Sequence, residues 1–340
     1  MRTMLPIAAR PLLGLAALIS CRADAHRSAR ADTTPVTAAQ VVSALEAAYG
    51  VHPGQRRNHT KGFCALGTFV GARGATRYSR SVLFTGDTIP VVARFSIAGG
   101  NPAVADADRS ARGMALELRP RDGSRMHMTM IDTPMFFART PRTFLDRMRA
   151  LAPDRATHEP DPVAVALFEE THPDAAAQTR FLADHNPPPS HANRSYFGIH
   201  AFRFVNRDQD TTLVRWRFVP QDGEKSLTDA ELRTMPHDFL ERAMVRRMTH
   251  GPVRWEMWLT IGARGDREDD PTTRWPPDRA QLRAGTLSLT SAMPQAGAPC
   301  ERINYDPLVL TDGIAPSSDP VLRFRSPSNS ASFAKRSVGK

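Results

Sequence analysis

The sequence predicts an α+β protein in which an antiparallel meander or barrel of strands is covered by helices within one domain. Two sets of short segments alternate apolar and polar residues at hairpin spacing, and a helical block lies between them. Glycines mark many of the turns between the segments, as is common in hairpin connections. With 41% apolar and 24% charged residues, the chain of 340 residues has the composition of a globular protein with a large core.

The first 25 residues are predicted to be a signal peptide. They begin with a cation at Arg2, continue with a short apolar run at 12–20, and match a small-x-small cleavage site at 23–25. Residues 18–21 also resemble the lipobox of bacterial lipoproteins, in which Cys21 would carry the lipid. Both interpretations place the mature chain in the periplasm and differ in whether it is anchored. No other run approaches the ~20 apolar residues of a membrane-spanning helix, so no transmembrane segment is expected.

Residues 26–50 are predicted to be a linker and a short helix, and residues 51–335 form the predicted domain. The helix covers residues 37–48, with Thr37 as its N-cap and Gly50 just beyond its end. The first predicted strand set comprises residues 63–70, 82–85, 89–97, 111–118 and 125–131.

The covering helices and the second strand set follow in the chain. Helices are predicted at 142–151 behind Pro141, at 162–170, at 174–184 and at about 228–249. The second strand set comprises residues 200–206, 213–219, 253–262 and 285–290, which can close the first set into one barrel. Asp319-Pro320 is predicted to open a short last helix ahead of a Ser- and Asn-rich end.

Charge and cysteine content narrow the classes of function. The formal net charge is +10, but all except four of the 45 cationic residues are scattered arginines, which does not predict binding to nucleic acid. Cys64 and Cys300 can form one disulfide in an oxidising compartment. Two buried free thiols are the equal alternative, because nothing in their spacing decides between them.

The stretch 52–62, HPGQRRNHTKG, is the candidate for chemistry. The sequence has no Cys-x-x-Cys or His-x-x-x-His metal motif, no Gly-x-Ser-x-Gly elbow and no phosphate loop. The stretch combines two histidines and three cations with almost nothing to bury, so its residues are predicted to serve a ligand. A lone loop histidine is usually solvated, and other motifs are needed to give His59 a role.

Several blocks in order resemble the catalase-related peroxidases, the small heme-dependent branch of the catalase fold. The blocks are Arg56-x-x-His59-Thr60-Lys61-Gly62, residues 92–96 (VARFS), 111–115 (ARGMA), 133–137 (TPMFF) and 303–307 (INYDP) with 312–314. They extend over nearly the whole mature chain. The resemblance implies a catalase-like antiparallel barrel with helical covering segments, heme b as the cofactor, and a homodimer.

The resemblance also implies a role for each matching residue. His59 is expected to accept a proton from one peroxide oxygen and return it to the departing oxygen, while Ser96 fixes its tautomer. Arg56 and Arg94 are expected to pair with the heme propionates. Phe144 is expected to pack on the porphyrin.

Two positions depart from the family pattern. Catalases carry a distal asparagine where this chain has Ile131, which favours peroxidase over catalase activity. Family members also end with Arg-x-x-x-Tyr, whose tyrosine ligates the iron, and this chain has Arg325 followed four residues later by Asn329. A neutral amide is a poor ligand for ferric iron.

The resemblance therefore implies a heme peroxidase that reduces hydrogen peroxide or small organic peroxides with an unidentified electron donor, and the predicted signal peptide places it in the periplasm. A non-catalytic descendant that binds heme weakly or not at all is the alternative from a different class. An exported β-rich binding protein is the third alternative.

Overall fold

The computed structural model describes residues 34–338. The predicted signal peptide, the lipobox at Cys21 and the linker before residue 34 lie outside the described residues. Within the described part of the chain, no helix is long and apolar enough to cross a membrane.

The sheet is antiparallel throughout, and many of its paired strands are also adjacent in the chain. Its strands are β1 Gly62–Gly71, β2 Thr88–Ile97, β3 Arg112–Leu118, β4 Met126–Ile131, β5 Tyr196–Phe197, β6 Phe202–Val205, β7 Thr211–Pro220, β8 Val253–Ile261, β9 Gln281–Pro294 and β10 Ile314–Pro316. Strands β1 to β4 pair in sequence, as hairpin spacing predicts.

Eight of these strands close into a barrel. The order β1, β2, β3, β4, β5, β7, β8, β9 returns to β1, because β7 pairs with both β5 and β8 and β9 pairs with β1. Phe69, Leu116, Phe218 and Trp255 are among the fully buried residues of its core. The predicted α+β fold with one antiparallel barrel is confirmed.

Helices cover the barrel and pack on one another. They are α1 Ala38–Tyr49, α2 Pro141–Ala150, α3 Pro162–Thr171, α4 Ala176–Asp184, α5 Asp229–Leu232, α6 Leu240–Met248 and α7 Pro320–Val338. Thr37 caps α1 through a capping box with Gln40, and Thr140 caps α2. Leu45, Leu145 and other side chains of α1, α2 and α3 form a second apolar cluster beside the barrel.

Three predicted elements are wrong in detail. Residues 82–85 are not a strand, because Val82–Phe84 is a 3₁₀ turn in which the Leu83 N–H donates to the Ser81 hydroxyl oxygen. The helix predicted at 228–249 divides into α5 and α6, with Pro236 between them unable to donate a backbone hydrogen bond. The last helix is not short: α7 has 19 residues and continues through the Ser- and Asn-rich segment.

A disulfide joins the first barrel strand to a late loop. Cys64 on β1 and Cys300 are both fully buried and bonded, with a Cα–Cα distance of 5.6 Å. Of the two alternatives for these cysteines, the structure has the disulfide. The bond fixes Cys300, whose backbone carbonyl is used at the candidate site.

Candidate active site

One cavity collects all seven of the site residues predicted from the sequence. It has a volume of about 240 Å³ and lies on the outer face of β2 to β4, beneath α1, α2 and α7. Its lining includes His59, Ser96, Arg56, Arg94, Phe144, Arg325 and Asn329.

His59 is positioned by the pairing of the first three strands. Gly62 of β1 pairs with Ser96 of β2, which brings the loop before β1 over the serine, and His59 Nδ1 lies 3.0 Å from Ser96 Oγ. Ser96 in turn pairs with Gly113 of β3. A Cβ atom at Gly113 would lie 2.6 Å from Ser96 Oγ and 3.0 Å from His59 Nδ1, so only glycine leaves room for this pair.

The electrostatics of the cavity keep His59 neutral. Its ring faces the cavity yet lies deep in the protein, and burial, followed by the charges of Arg94, Arg325 and Arg56, lowers its pKa to about 3. Its Nδ1 is engaged by Ser96, and Nε2 has no hydrogen-bond partner among the described residues. A neutral imidazole with an accessible ring nitrogen can accept a proton at ordinary pH.

The arginines beside His59 are held by backbone carbonyl groups. Arg56 Nη2 donates to the carbonyl oxygens of Cys300 (3.0 Å) and Ile303 (2.9 Å), and its buried Nε has no partner in the described chain. Arg94 Nη2 donates to the His59 carbonyl at 2.8 Å. Burial lowers the pKa of Arg94 to about 10, which still leaves the guanidinium charged at neutral pH. Its charge lowers the pKa of His59. Whether these arginines bind propionates stays a prediction.

The aromatic part of the wall comes from the TPMFF block and α2. The Phe144 ring lies 6.3 Å from Phe136 and 5.4 Å from Phe137, measured between centroids. Phe136 and Phe144 line the cavity, with Val321 and Phe324 contributed by α7. This apolar surface fits the ring of a flat ligand. That Phe144 packs on a porphyrin stays a prediction.

The α7 side of the cavity contains the departure from the family pattern. Asn329 Nδ2 donates to the Tyr305 carbonyl at 3.0 Å, so the amide serves the protein backbone. Arg325, one turn earlier, also lines the cavity, and burial lowers its pKa to about 10. No phenol follows Arg325 at the position where family members place one.

Sequence reasoning missed a buried carboxylate–imidazole pair on the same side. His200 Nδ1 lies 2.6 Å from Asp319 Oδ2, and the Asp319 carboxylate also accepts from the backbone N–H groups of Val321 and Leu322. His200 Nε2 is buried without a hydrogen-bond partner in the described chain. The two residues are 119 positions apart, and the sequence around Asp319 indicates only the start of a helix. No group of three or more metal-binding side chains occurs within residues 34–338.

Comparison with known proteins identifies relatives of this chain. A sequence model described as Catalase matches residues 50–338. A catalase-related peroxidase of Synechococcus elongatus is 53% identical over 306 residues, which are 90% of each chain. A catalase-related peroxidase of Mycolicibacterium paratuberculosis is 33% identical over 88% of this chain and 95% of its own.

Solved structures share the fold. Catalase A from Saccharomyces cerevisiae superposes with a TM-score of 0.77 at 22% identity, covering 83% of this chain and 61% of that one. A fungal catalase gives a TM-score of 0.76 at 22% identity and covers 83% and 59%. This chain therefore spans about 60% of the length of these larger proteins, and the likeness shows the fold.

Proposed function

Because this chain belongs to the catalase family, we propose that it is a heme-dependent peroxidase that reduces hydrogen peroxide or small organic peroxides with an external donor. The observation that carries the proposal is the neutral, deeply placed imidazole of His59, held by Ser96 at the wall of a cavity. Two relatives named catalase-related peroxidase support an enzyme over a non-catalytic descendant.

Heme b is the proposed cofactor, and the lining fits it around the ring and on the His59 side. Arg56 Nε and Arg336 Nη1 are buried without partners in the described chain, and a guanidinium is suited to bind carboxylates such as propionates. Phe136 and Phe144 offer apolar faces to the macrocycle. When bound, heme would supply a redox-active iron, which no side chain provides.

On the α7 side, two donor atoms without hydrogen-bond partners would be available to hold that iron. Asn329 Oδ1 and His200 Nε2 have no hydrogen bond from the described residues, and both residues line the cavity. Imidazole is a common axial ligand of heme, and its partner Asp319 gives His200 the carboxylate contact typical of metal-binding histidines. An amide at position 329 is the weaker donor.

The residues themselves supply the proton chemistry. His59 Nε2 accepts a proton from one peroxide oxygen and returns it to the departing oxygen, which leaves as water or an alcohol. Ser96 holds Nδ1 and thereby fixes which nitrogen carries the free lone pair. The apolar Ile131 in the same cavity supports peroxidase activity with weak or no catalase activity.

We also propose export to the periplasm. The predicted signal peptide and the disulfide between Cys64 and Cys300 support an oxidising compartment. A lipid anchor at Cys21 and a free periplasmic chain are the two alternatives within this proposal, and a homodimer is what the family resemblance implies. Cys21→Ala followed by membrane fractionation tests the anchor.

The test of the activity is peroxide turnover by the heme-loaded chain. We expect His59→Gln to lower kcat by at least 100-fold, because general acid–base catalysis typically contributes that much, while heme content stays the same. His250→Gln, which changes an exposed histidine, serves as the matched control and is expected to be fully active. Equal turnover by the His59 variant would remove this residue from the mechanism.

A further inference from the structure

The residue before His59 touches the same cavity and has a role that the family pattern does not assign. Asn58 lines the cavity next to His59, and its side-chain Oδ1 accepts two backbone hydrogen bonds, from His59 N at 2.8 Å and from Gly99 N at 2.9 Å. Two N–H donors converge on that atom, which fixes the orientation of the amide group. The Nδ2 group of Asn58 therefore points away from these two backbone N–H groups.

The first hydrogen bond acts on strained backbone. His59 has φ = 53°, in the left-handed region that residues other than glycine rarely adopt. Such a conformation persists only where surrounding contacts hold it, and such residues cluster at functional sites. The Asn58 Oδ1 contact with His59 N is one of these contacts.

The second hydrogen bond ties this loop to a turn. Gly99 N donates to Asn58 Oδ1, and Thr60 N donates to the Gly99 carbonyl at 3.1 Å. The turn at residues 99–102 is thereby attached on both sides of His59. Gly99 of this turn therefore anchors the acid–base loop.

The N–H donor group of the Asn58 amide has no partner in the described chain. Asn58 Nδ2 has two donor hydrogens and makes no hydrogen bond with the described residues. Because Asn58 lines the cavity beside His59 and its Oδ1 is already occupied, its Nδ2 is the polar group of this side chain left to bind a small oxygen ligand. Ile131, also in the lining, contributes no such donor.

We propose that Asn58 both positions His59 and binds the peroxide substrate: Oδ1 holds the His59 backbone, and Nδ2 donates to a peroxide oxygen. The positioning part stands on the loop geometry alone. The peroxide contact rests on the proposed function, because it needs a peroxide in this cavity.

Three variants of the heme-loaded chain separate the two parts. Asn58→Asp keeps Oδ1 and removes the N–H donors, Asn58→Leu removes both, and Asn58→Asp combined with Ile131→Asn returns an amide to the same cavity. Asn101→Asp is the matched control, because Asn101 is exposed in the same turn and also uses Oδ1 to accept a backbone N–H.

If Asn58 binds the peroxide, losing its N–H donors should lower turnover and leave folding unchanged. We expect Asn58→Asp to keep its heme content and melting midpoint but to lose at least tenfold in kcat/KM for hydrogen peroxide. Adding Ile131→Asn should recover most of that loss, because it returns an amide N–H donor to the cavity. Full activity of Asn58→Asp, or no recovery in the double variant, overturns the contact.

The positioning role of Asn58 can be measured without an activity assay. We expect the His59 ring signals in an NMR spectrum of the chain to shift in Asn58→Leu and to stay in place in Asn58→Asp and Asn101→Asp. Unchanged signals in Asn58→Leu would overturn it. A parent chain without turnover would overturn the proposed function and the peroxide contact together, while these spectra still decide the positioning role.

Discussion

The proposed proton transfer depends on His59, because the surroundings of this residue set both its geometry and its charge. The ring is engaged at one nitrogen by Ser96, and burial together with nearby arginines lowers its pKa to about 3. An unperturbed histidine would be half protonated near pH 6.5, where it could no longer act fully as a base. The cavity therefore extends the range in which this residue accepts protons toward acid.

The pH dependence of turnover follows from that pKa. Because only neutral His59 can accept the peroxide proton, we expect kcat/KM for peroxide to stay level from pH 8 to about 4 and to fall only as the pH approaches 3. The measurement is a pH–rate profile, with circular dichroism confirming at each pH that the chain is folded. A fall in kcat/KM centred near pH 6.5 would show that the imidazole is not shielded.

Strand β3 is expected to control the His59–Ser96 pair through a single glycine. Gly113→Ala adds a methyl group 2.6 Å from Ser96 Oγ, so the hydroxyl must move and the pair must open. We expect at least a tenfold loss of peroxide turnover with a melting midpoint within a few degrees of the parent. Gly74→Ala is the control, because its nearest neighbour would be a Leu282 methyl group 4.0 Å away. Equal activity of the two variants would contradict this view of β3.

The link from β1 to the loop at residues 299–302 is expected to support both stability and the site. The disulfide closes a loop of 236 residues, and Cys300 supplies a carbonyl oxygen to Arg56. We expect Cys64→Ala with Cys300→Ala to lower the free energy of unfolding by about 3–5 kcal/mol.

Urea unfolding with and without a thiol reductant measures this contribution. The parent should lose stability when reduced, and the double variant should not respond to reductant. A double variant as stable as the oxidised parent would show that the bond contributes little to the fold.

At the scale of the whole molecule, buried neutral histidines make stability depend on pH. The pKa values of His59 and of His191, which is fully surrounded by protein and lies 2.6 Å from the Tyr196 hydroxyl, are both lowered to about 3. The unfolded chain binds these protons near pH 6.5 and the folded chain does not. The stability contributed by the neutral form is therefore complete above pH 6.5 and is lost as the pH falls toward 3.

We expect each of these two groups to cost about 1–2 kcal/mol of unfolding free energy between pH 6.5 and 5. Urea unfolding at a series of pH values measures the slope, and His191→Gln should reduce it. A slope that is the same in His191→Gln and in the parent would contradict the assignment to this residue.

The strands and helices that follow a local sequence pattern could be predicted. The pairing that closes the barrel could not. Alternating apolar residues located β1 to β4, and Thr140-Pro141 located the start of α2. Strand β5 has only two residues, too few for any alternation, yet it completes the barrel. A short pairing partner is defined by its neighbours in space.

The candidate site divides in the same way. His59, Ser96 and the arginines were found because they fall in ordered motifs that resemble a family. The pair of His200 and Asp319 had no motif, and the contact between Asn58 and Gly99 crosses two loops 41 residues apart. Such contacts need the folded backbone, since nothing in the neighbouring sequence marks either partner.

Heme binding by the unaltered chain decides whether the proposed function holds, because position 329 lacks the tyrosine of family members. The measurement is a titration of the chain with hemin, followed by the Soret band and a pyridine hemochrome assay, with Asn329→Tyr and His59→Ala in parallel. We predict saturation at one heme per chain for the parent and for His59→Ala, and an altered spectrum for Asn329→Tyr, since a phenolate donates more strongly than the other ligands available. A parent that binds no heme, beside an Asn329→Tyr variant that does, would contradict the proposed function and identify a non-catalytic descendant of the fold.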